Sequence, residues 1–134
     1  MPVQVQTETK GGVLSDLLLV EIDYRWSRQA ITLAASSEKL GMGTVLEYSA
    51  STGAYSPLST TTTGESGSQT ITVNDAVAVL LHDVPANAAK QSAVALLRGA
   101  VVQRDKLVFG SAITADMKKT ACAALTALGV VVKE

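Results

Sequence analysis

From Leu18 to Tyr24 the chain alternates: Leu18, Val20, Ile22 and Tyr24 fall on one side, and Leu19, Glu21 and Asp23 on the other. A period of two is that of a strand with one buried face, so Val13–Leu33 reads as an extended, half-buried segment that ends in a short strand at Ala30–Leu33. Gly43–Tyr48 and Tyr55–Leu58 are short apolar runs joined by Ser51-Thr52-Gly53-Ala54, small polar residues suited to a tight connection, and together they predict a hairpin. Ser59–Gln69 is almost wholly Ser, Thr and Gly. It has too little apolar area to bury and is expected to be a mobile, exposed loop. Thr70–Val73, Ala76–Leu81, Ser92–Val102 and Lys106–Phe109 read as further strands, rich in Val, Leu or Ile and separated by polar punctuation. Pro85–Gly99 also admits an Ala-rich helix, with Pro at its first position, but a turn followed by a strand is the preferred reading.

One segment predicts a helix on several counts. In Ala115–Leu128, Thr114 is a capping residue, Asp116 complements the positive end of the dipole, and Gly129 stands where a left-handed C-terminal residue belongs. Met117, Ala121, Leu125 and Leu128 share the face expected to be buried, while Lys118, Lys119 and Thr126 look outward. Val130–Val132 then forms a closing strand. Residues 1–12 are polar, end in a Gly pair, and read as a flexible arm. The expected fold class is therefore α+β: a compact β-rich single domain with one clear C-terminal helix and a flexible or extended N-terminal arm. Its parts are the arm 1–12, the extended segment 13–33, and a core domain 34–134 carrying the exposed loop 59–69.

Composition narrows the function. The 134 residues suffice for one core, and 47% are hydrophobic against 17% charged, as in a folded globule. Aromatic residues are only 4%, which argues against a base-stacking platform. The formal charge of -1 comes with no run of like charges, so no nucleic-acid partner and no anionic membrane surface is expected. The single cysteine, Cys122, excludes an intrachain disulfide and suits folding in a reducing cytoplasm. No apolar run near the start resembles a secretion signal or a membrane span.

Candidate chemistry is sparse. His82 and Cys122 are the only His and Cys, too few to close a zinc or redox-metal site, so no metal and no cofactor is expected. His82 and Asp83 are adjacent at a strand end and point to opposite faces, a poor start for a Ser-His-Asp arrangement. Cys122 lies well inside the helix, past the end that would lower a thiol pKa. Gly41-Met42-Gly43 begins like a dinucleotide fingerprint, but Leu46 replaces its third Gly and a strand follows. Gly64-Glu65-Ser66-Gly67 fails as a nucleophile elbow because Ser68 stands where the second Gly belongs. The residues therefore read as a non-enzymatic β-rich domain.

Three ordered stretches resemble the head decoration proteins of tailed bacteriophages, the group of the lambda-type capsid-stabilising protein. The first is Asp23-Tyr24 followed by Ser27-Arg28-Gln29-Ala30-Ile31-Thr32-Leu33 and Leu40-Gly41-Met42-Gly43-Thr44-Val45-Leu46. The second is Asp75-Ala76-Val77-Ala78-Val79-Leu80-Leu81-His82-Asp83-Val84 with Ala95-Leu96-Leu97-Arg98-Gly99. The third is Ala115-Asp116-Met117-Lys118-Lys119-Thr120-Ala121 leading to Leu128-Gly129-Val130-Val131-Val132. The chain departs from that pattern in the Ser/Thr/Gly stretch 59–69 and in the length of Val13–Leu33.

The resemblance implies a homotrimer on the outside of an expanded icosahedral head, at local three-fold sites of a major capsid protein of the HK97-type fold. There it would cement the shell, after synthesis in the host cytoplasm. It also implies an amino-terminal segment that orders against the capsid by adding a strand, which a polar arm with free backbone groups can do. Tyr24, Arg25, Trp26 and Arg28 are the candidate capsid-binding residues, because Trp and Arg dominate interface energetics and lie just beyond the arm. Trp26 has two readings, capsid anchor or core side chain. The alternative function is a small non-catalytic binding module for a soluble ligand or carbohydrate.

Overall fold

A computed structural model describes residues 14–134. The arm 1–12 therefore lies outside the described residues. The chain is α+β and β-rich, with one long helix near its C-terminus. In order, the elements are α1 (Leu14–Leu17), β1 (Leu18–Glu21), α2 (Tyr24–Ser27), β2 (Arg28–Leu33), β3 (Val45–Ser49), β4 (Ala54–Pro57), β5 (Thr60–Thr63), β6 (Thr70–Val73) and β7 (Ala78–Leu80). They continue with β8 (Gln91–Leu96), β9 (Ala100–Gln103), a 3-10 turn at Arg104–Lys106, α3 (Ala115–Ala127) and β10 (Val130–Lys133).

Strands β2, β4, β3, β7 and β8 close into a small barrel in that order. Its interior holds Ile31, Leu33, Leu40, Leu46, Leu80 and Val84 together with Ala78, Ala93 and Ala95, small residues where five strands leave little room. Successive residues of a strand face opposite ways, so Val45, Val79 and Leu96 leave the barrel on its other side. There they meet a second core built from Leu17, Ala100, Val102, Ala121, Leu125 and Val130. That core is closed by a sheet ordered β1-β9-β10 and by α3. β10 runs parallel to β9, which the crossover through α3 permits, while β1 pairs antiparallel to β9 with a register shift between Leu18 and Val20.

The predicted helix is present with its caps: Thr114 accepts the Met117 N–H, and Gly129 at φ 98° ends it. The β3–β4 hairpin is present, with Tyr48 opposite Tyr55. Pro85–Gly99 contains no helix, in keeping with the preferred reading.

Four expectations change. Within Val13–Leu33, the described part is not one extended run, because Leu14–Leu17 and Tyr24–Ser27 are helical turns. Asp23 caps the second turn by accepting the Arg25 N–H, a local bond that overrides the alternation. Nor is that segment separate from the core, since β2 pairs with β8 along its whole length. The Ser92–Val102 run is two strands, broken where Gly99 takes φ 64°. Lys106–Phe109 is a 3-10 turn and a single bridge between Thr44 and Val108 rather than a strand.

The stretch 59–69 is exposed as expected but is not a loop throughout. Thr60–Thr63 pairs with Thr70–Val73 in an exposed two-stranded hairpin, as β-branched threonines favour, and Val73 packs against the second core. Its base is tied down by Glu47, whose carboxylate accepts bonds from the Ser59 N–H, the Ser59 hydroxyl and the Asn74 amide. Glu47→Ala is expected to cost about 1–2 kcal/mol. It should raise amide hydrogen exchange first in residues 60–73. Unchanged exchange there would show that the hairpin holds its place without the carboxylate.

Candidate functional site

The surface feature that stands out is an apolar groove of about 560 Å³. It is walled by Ile22 and Trp26 on one side, Tyr48 and Tyr55 of the β3–β4 hairpin on another, and Leu97 and Leu128. Several of these side chains face water: Ile22 is 72% exposed, Trp26 51%, Tyr48 49% and Leu128 47%. Single exposed apolar side chains are ordinary, but a contiguous group of them makes a candidate contact surface. The outer face of the β1-β9-β10 sheet adds Val20 and Val131, both opposite Val101.

α2 is held in place by bonds from both ends. The Trp26 and Ser27 N–H groups donate to the Asp23 carbonyl. The buried Ser27 hydroxyl donates to the Gly99 carbonyl at 3.0 Å, and the Leu97 N–H donates to the Ser27 carbonyl at 2.9 Å. The Gly99 carbonyl also accepts the Ile22 N–H. The Arg98 guanidinium donates to the Trp26 carbonyl and to the Gln29 side-chain oxygen, and stands 5.9 Å from the centre of the Trp26 ring. Gly99 is what lets the indole lie so close, because a Cβ there would meet its ring at 2.2 Å. Across the groove the Tyr48 and Tyr55 rings are tilted, with centroids 4.9 Å apart. Partial burial pushes the Tyr55 hydroxyl's pKa up, helped by Tyr48 and opposed by Arg98.

The four candidate residues divide. Tyr24 and Arg25 face outward on α2, 64% exposed for Tyr24. Arg25 donates to Asp23, and these bonds hold the Asp23 carboxyl below its ordinary range. Trp26 belongs to the groove, not to either core. Arg28 makes a two-pronged pair with Glu21 at 2.7 and 2.9 Å, which raises its pKa further and commits it to its own chain. The sequence pattern does not mark Ile22, Tyr48, Leu97 or Leu128 as groove residues. Ile22 shares its alternation with residues expected inside, and Leu128 shares the buried helical face. Leu128 escapes burial because it caps α3, where the chain turns away from the core.

The remaining polar candidates are structural. His82 accepts the Val94 N–H at Nε2 and donates from Nδ1 to the Asp83 carbonyl, which ties β8 to the end of β7. Burial pushes the Cys122 thiol pKa up, with Arg104 opposing, so it is a poor nucleophile. Among the described residues no group of three or more His, Cys, Asp or Glu is arranged to hold a metal ion, and no helix is long and apolar enough to cross a membrane.

The described residues thus gather exposed apolar side chains from separate parts of the chain into one groove. The family model of the bacteriophage lambda head decoration protein D matches residues 5–130, and the chain belongs to that family. The family is structural rather than enzymatic, and its members are components of the phage head that bind the capsid. No curated protein matches the chain.

Proposed function

We propose that this chain binds as trimers to the outside of the expanded icosahedral head, at local three-fold sites, and cements the shell. The observation that supports it most is the half-exposed Trp26 beside an apolar groove, in a chain that belongs to a head decoration family. The partner is a major capsid protein of the HK97-type fold, reached after synthesis in the host cytoplasm. Tyr24 and Arg25, on the outer side of α2, are the residues proposed to touch the shell. The half-exposed Trp26 is proposed as the anchor of that contact, and Arg28 braces the turn through Glu21. Three copies acting together multiply a weak contact per chain through avidity.

The test is co-sedimentation with expanded and with unexpanded shells of the same phage, counting bound chains. Saturable binding to expanded shells alone, in multiples of three per site, is the expected result. Binding to neither form would overturn the reading. Removal of residues 1–12, the segment proposed to add a strand to the shell, is expected to leave the melting temperature unchanged. Shell affinity should fall by about 10-fold or more, the size of one lost anchoring contact.

A further inference from the structure

We infer that the polar cleft between strand β3 and the β5–β6 hairpin binds a neutral sugar of the N-acetylhexosamine type, stacked on Tyr48 and held by Asp75. The inference does not depend on the shell reading, since it concerns a second cavity that adjoins the apolar groove.

The cleft holds about 520 Å³, inside the range of about 300–1,000 Å³ that small-molecule sites occupy. Tyr48 of β3 stands on one side, Thr61 of β5 and Thr72 of β6 on another, and Asp75 and Val77 lie just past β6. Thr61 and Thr72 are cross-strand partners, so their side chains share one face of the hairpin. Bonds within the chain set the shape of the cleft before a ligand arrives. Glu47 ties down Ser59 and Asn74, and the Asn74 side-chain oxygen accepts the Thr61 hydroxyl.

The lining selects the ligand. It includes no Lys, Arg or His, so nothing in it would neutralise a phosphate or a carboxylate. Asp75 is exposed, and among the described residues neither an ion pair nor a side-chain hydrogen bond engages it. With Glu47 already engaged by Ser59 and Asn74, one free carboxylate is too little for a metal ion. What remains is a set of acceptors and hydroxyls beside an aromatic ring that is 49% exposed.

A sugar ring is complementary to that set. Its hydroxyls donate to a carboxylate, and its C–H face lies against the electron-rich face of an aromatic ring. Thr72 is free to redirect its hydroxyl, because its bond to the Thr61 carbonyl is 3.5 Å long, at the limit of hydrogen bonding. Val73 and Val77, partly buried in the same lining, add apolar contact. An acetamido substituent matches this mixture, with a methyl group for the valines, an N–H for Asp75 and a carbonyl for Thr72.

The test is titration of the isotope-labelled full chain with tri-N-acetylchitotriose, read by amide chemical shifts, with maltotriose and trilysine as comparison probes. The chitotriose is expected to shift the amides of Glu47, Tyr48, Thr72 and Asp75 and to saturate in the millimolar range. Maltotriose, which lacks the acetamido group, should bind about 10-fold more weakly. Tyr48→Ala and Asp75→Ala change exposed side chains and are expected to fold, as circular dichroism would show. Each should weaken the sugar by about 10-fold or more. Thr72→Val, nearly unchanged in shape, should weaken it by about 5-fold. Trp26→Ala, outside the cleft, should leave sugar binding as it is, and Asp75→Ala should leave shell co-sedimentation as it is.

No saturable shift in the cleft overturns the inference, and so does equal binding of maltotriose. Sugar binding undiminished in both Tyr48→Ala and Asp75→Ala overturns it too. Trilysine bound in place of the sugar also overturns it, and assigns the cleft to a cationic peptide. If the wild type binds no shell while the chitotriose still saturates the cleft, the capsid reading fails and this one stands.

Discussion

Gly43→Ala is expected to remove about 3 kcal/mol of folding stability. Gly43 sits at φ 93°, a conformation that L side chains rarely adopt. A Cβ there would stand 2.2 Å from the carbonyl oxygen of Lys106. That oxygen is backbone, so no side chain can swing aside. The same glycine accepts the Val108 N–H and donates to the Leu80 carbonyl. To make room, the segment after the 3-10 turn must move away from the entry to β3, and the bridge between Thr44 and Val108 opens with it. Gly53→Ala is the control: φ is 69° there, but nothing lies within 4 Å of the added carbon, so only the backbone preference of about 1 kcal/mol is lost. Urea unfolding of both variants checks the contrast. Equal losses would mean that the close approach to Lys106 is not a constraint.

Trp26→Ala is expected to separate binding from folding. The indole is half exposed and belongs to neither core, so folding stability should fall by about 1 kcal/mol, well short of the 3–5 typical of a buried Trp. Binding should fall far more, by about 2 kcal/mol or 30-fold, because truncating a Trp at the centre of an apolar contact removes its anchor. Thermal melting and shell co-sedimentation on the same preparation give both numbers. A stability loss near 3 kcal/mol with shell affinity intact would make Trp26 a core side chain after all. The Arg98 guanidinium would then lose its ring partner but keep its bond to the residue 26 carbonyl, so α2 should persist.

Elements with a strong local signal could be read without the fold. α3 is legible because its cap, its dipole partner and its terminal Gly lie within its own sequence. The β3–β4 hairpin is legible because a short polar turn joins two apolar runs. Harder to read were segments whose conformation answers to distant residues. The break at Gly99 is hidden inside a continuous apolar run, and its positive φ is tied to the indole of Trp26 more than seventy residues earlier. The composition of the threonine strand β5 promises no core and reads as a loop, yet pairing with β6 gives it an ordered backbone.

The surface divides in the same way. That residues 24–28 concentrate aromatic and basic side chains is plain in the sequence, and of these the structure places Trp26 in the wall of the groove. Which of them is free is not, because Arg28 is claimed by Glu21 seven residues away. The groove itself draws on five separated places in the chain: Ile22 with Trp26, Tyr48 with Tyr55, Val77, Leu97 to Gly99, and Leu128 with Gly129.

By itself, then, the sequence determined the fold class, the closing helix and strand, and the family, since each rests on local pattern and on the order of motifs. Only the tertiary structure decided which apolar side chains stay in water. Period two and period 3.6 say which residues share a face, but burial depends on whether another element covers that face. Among the described residues, no other element covers Ile22 or Leu128.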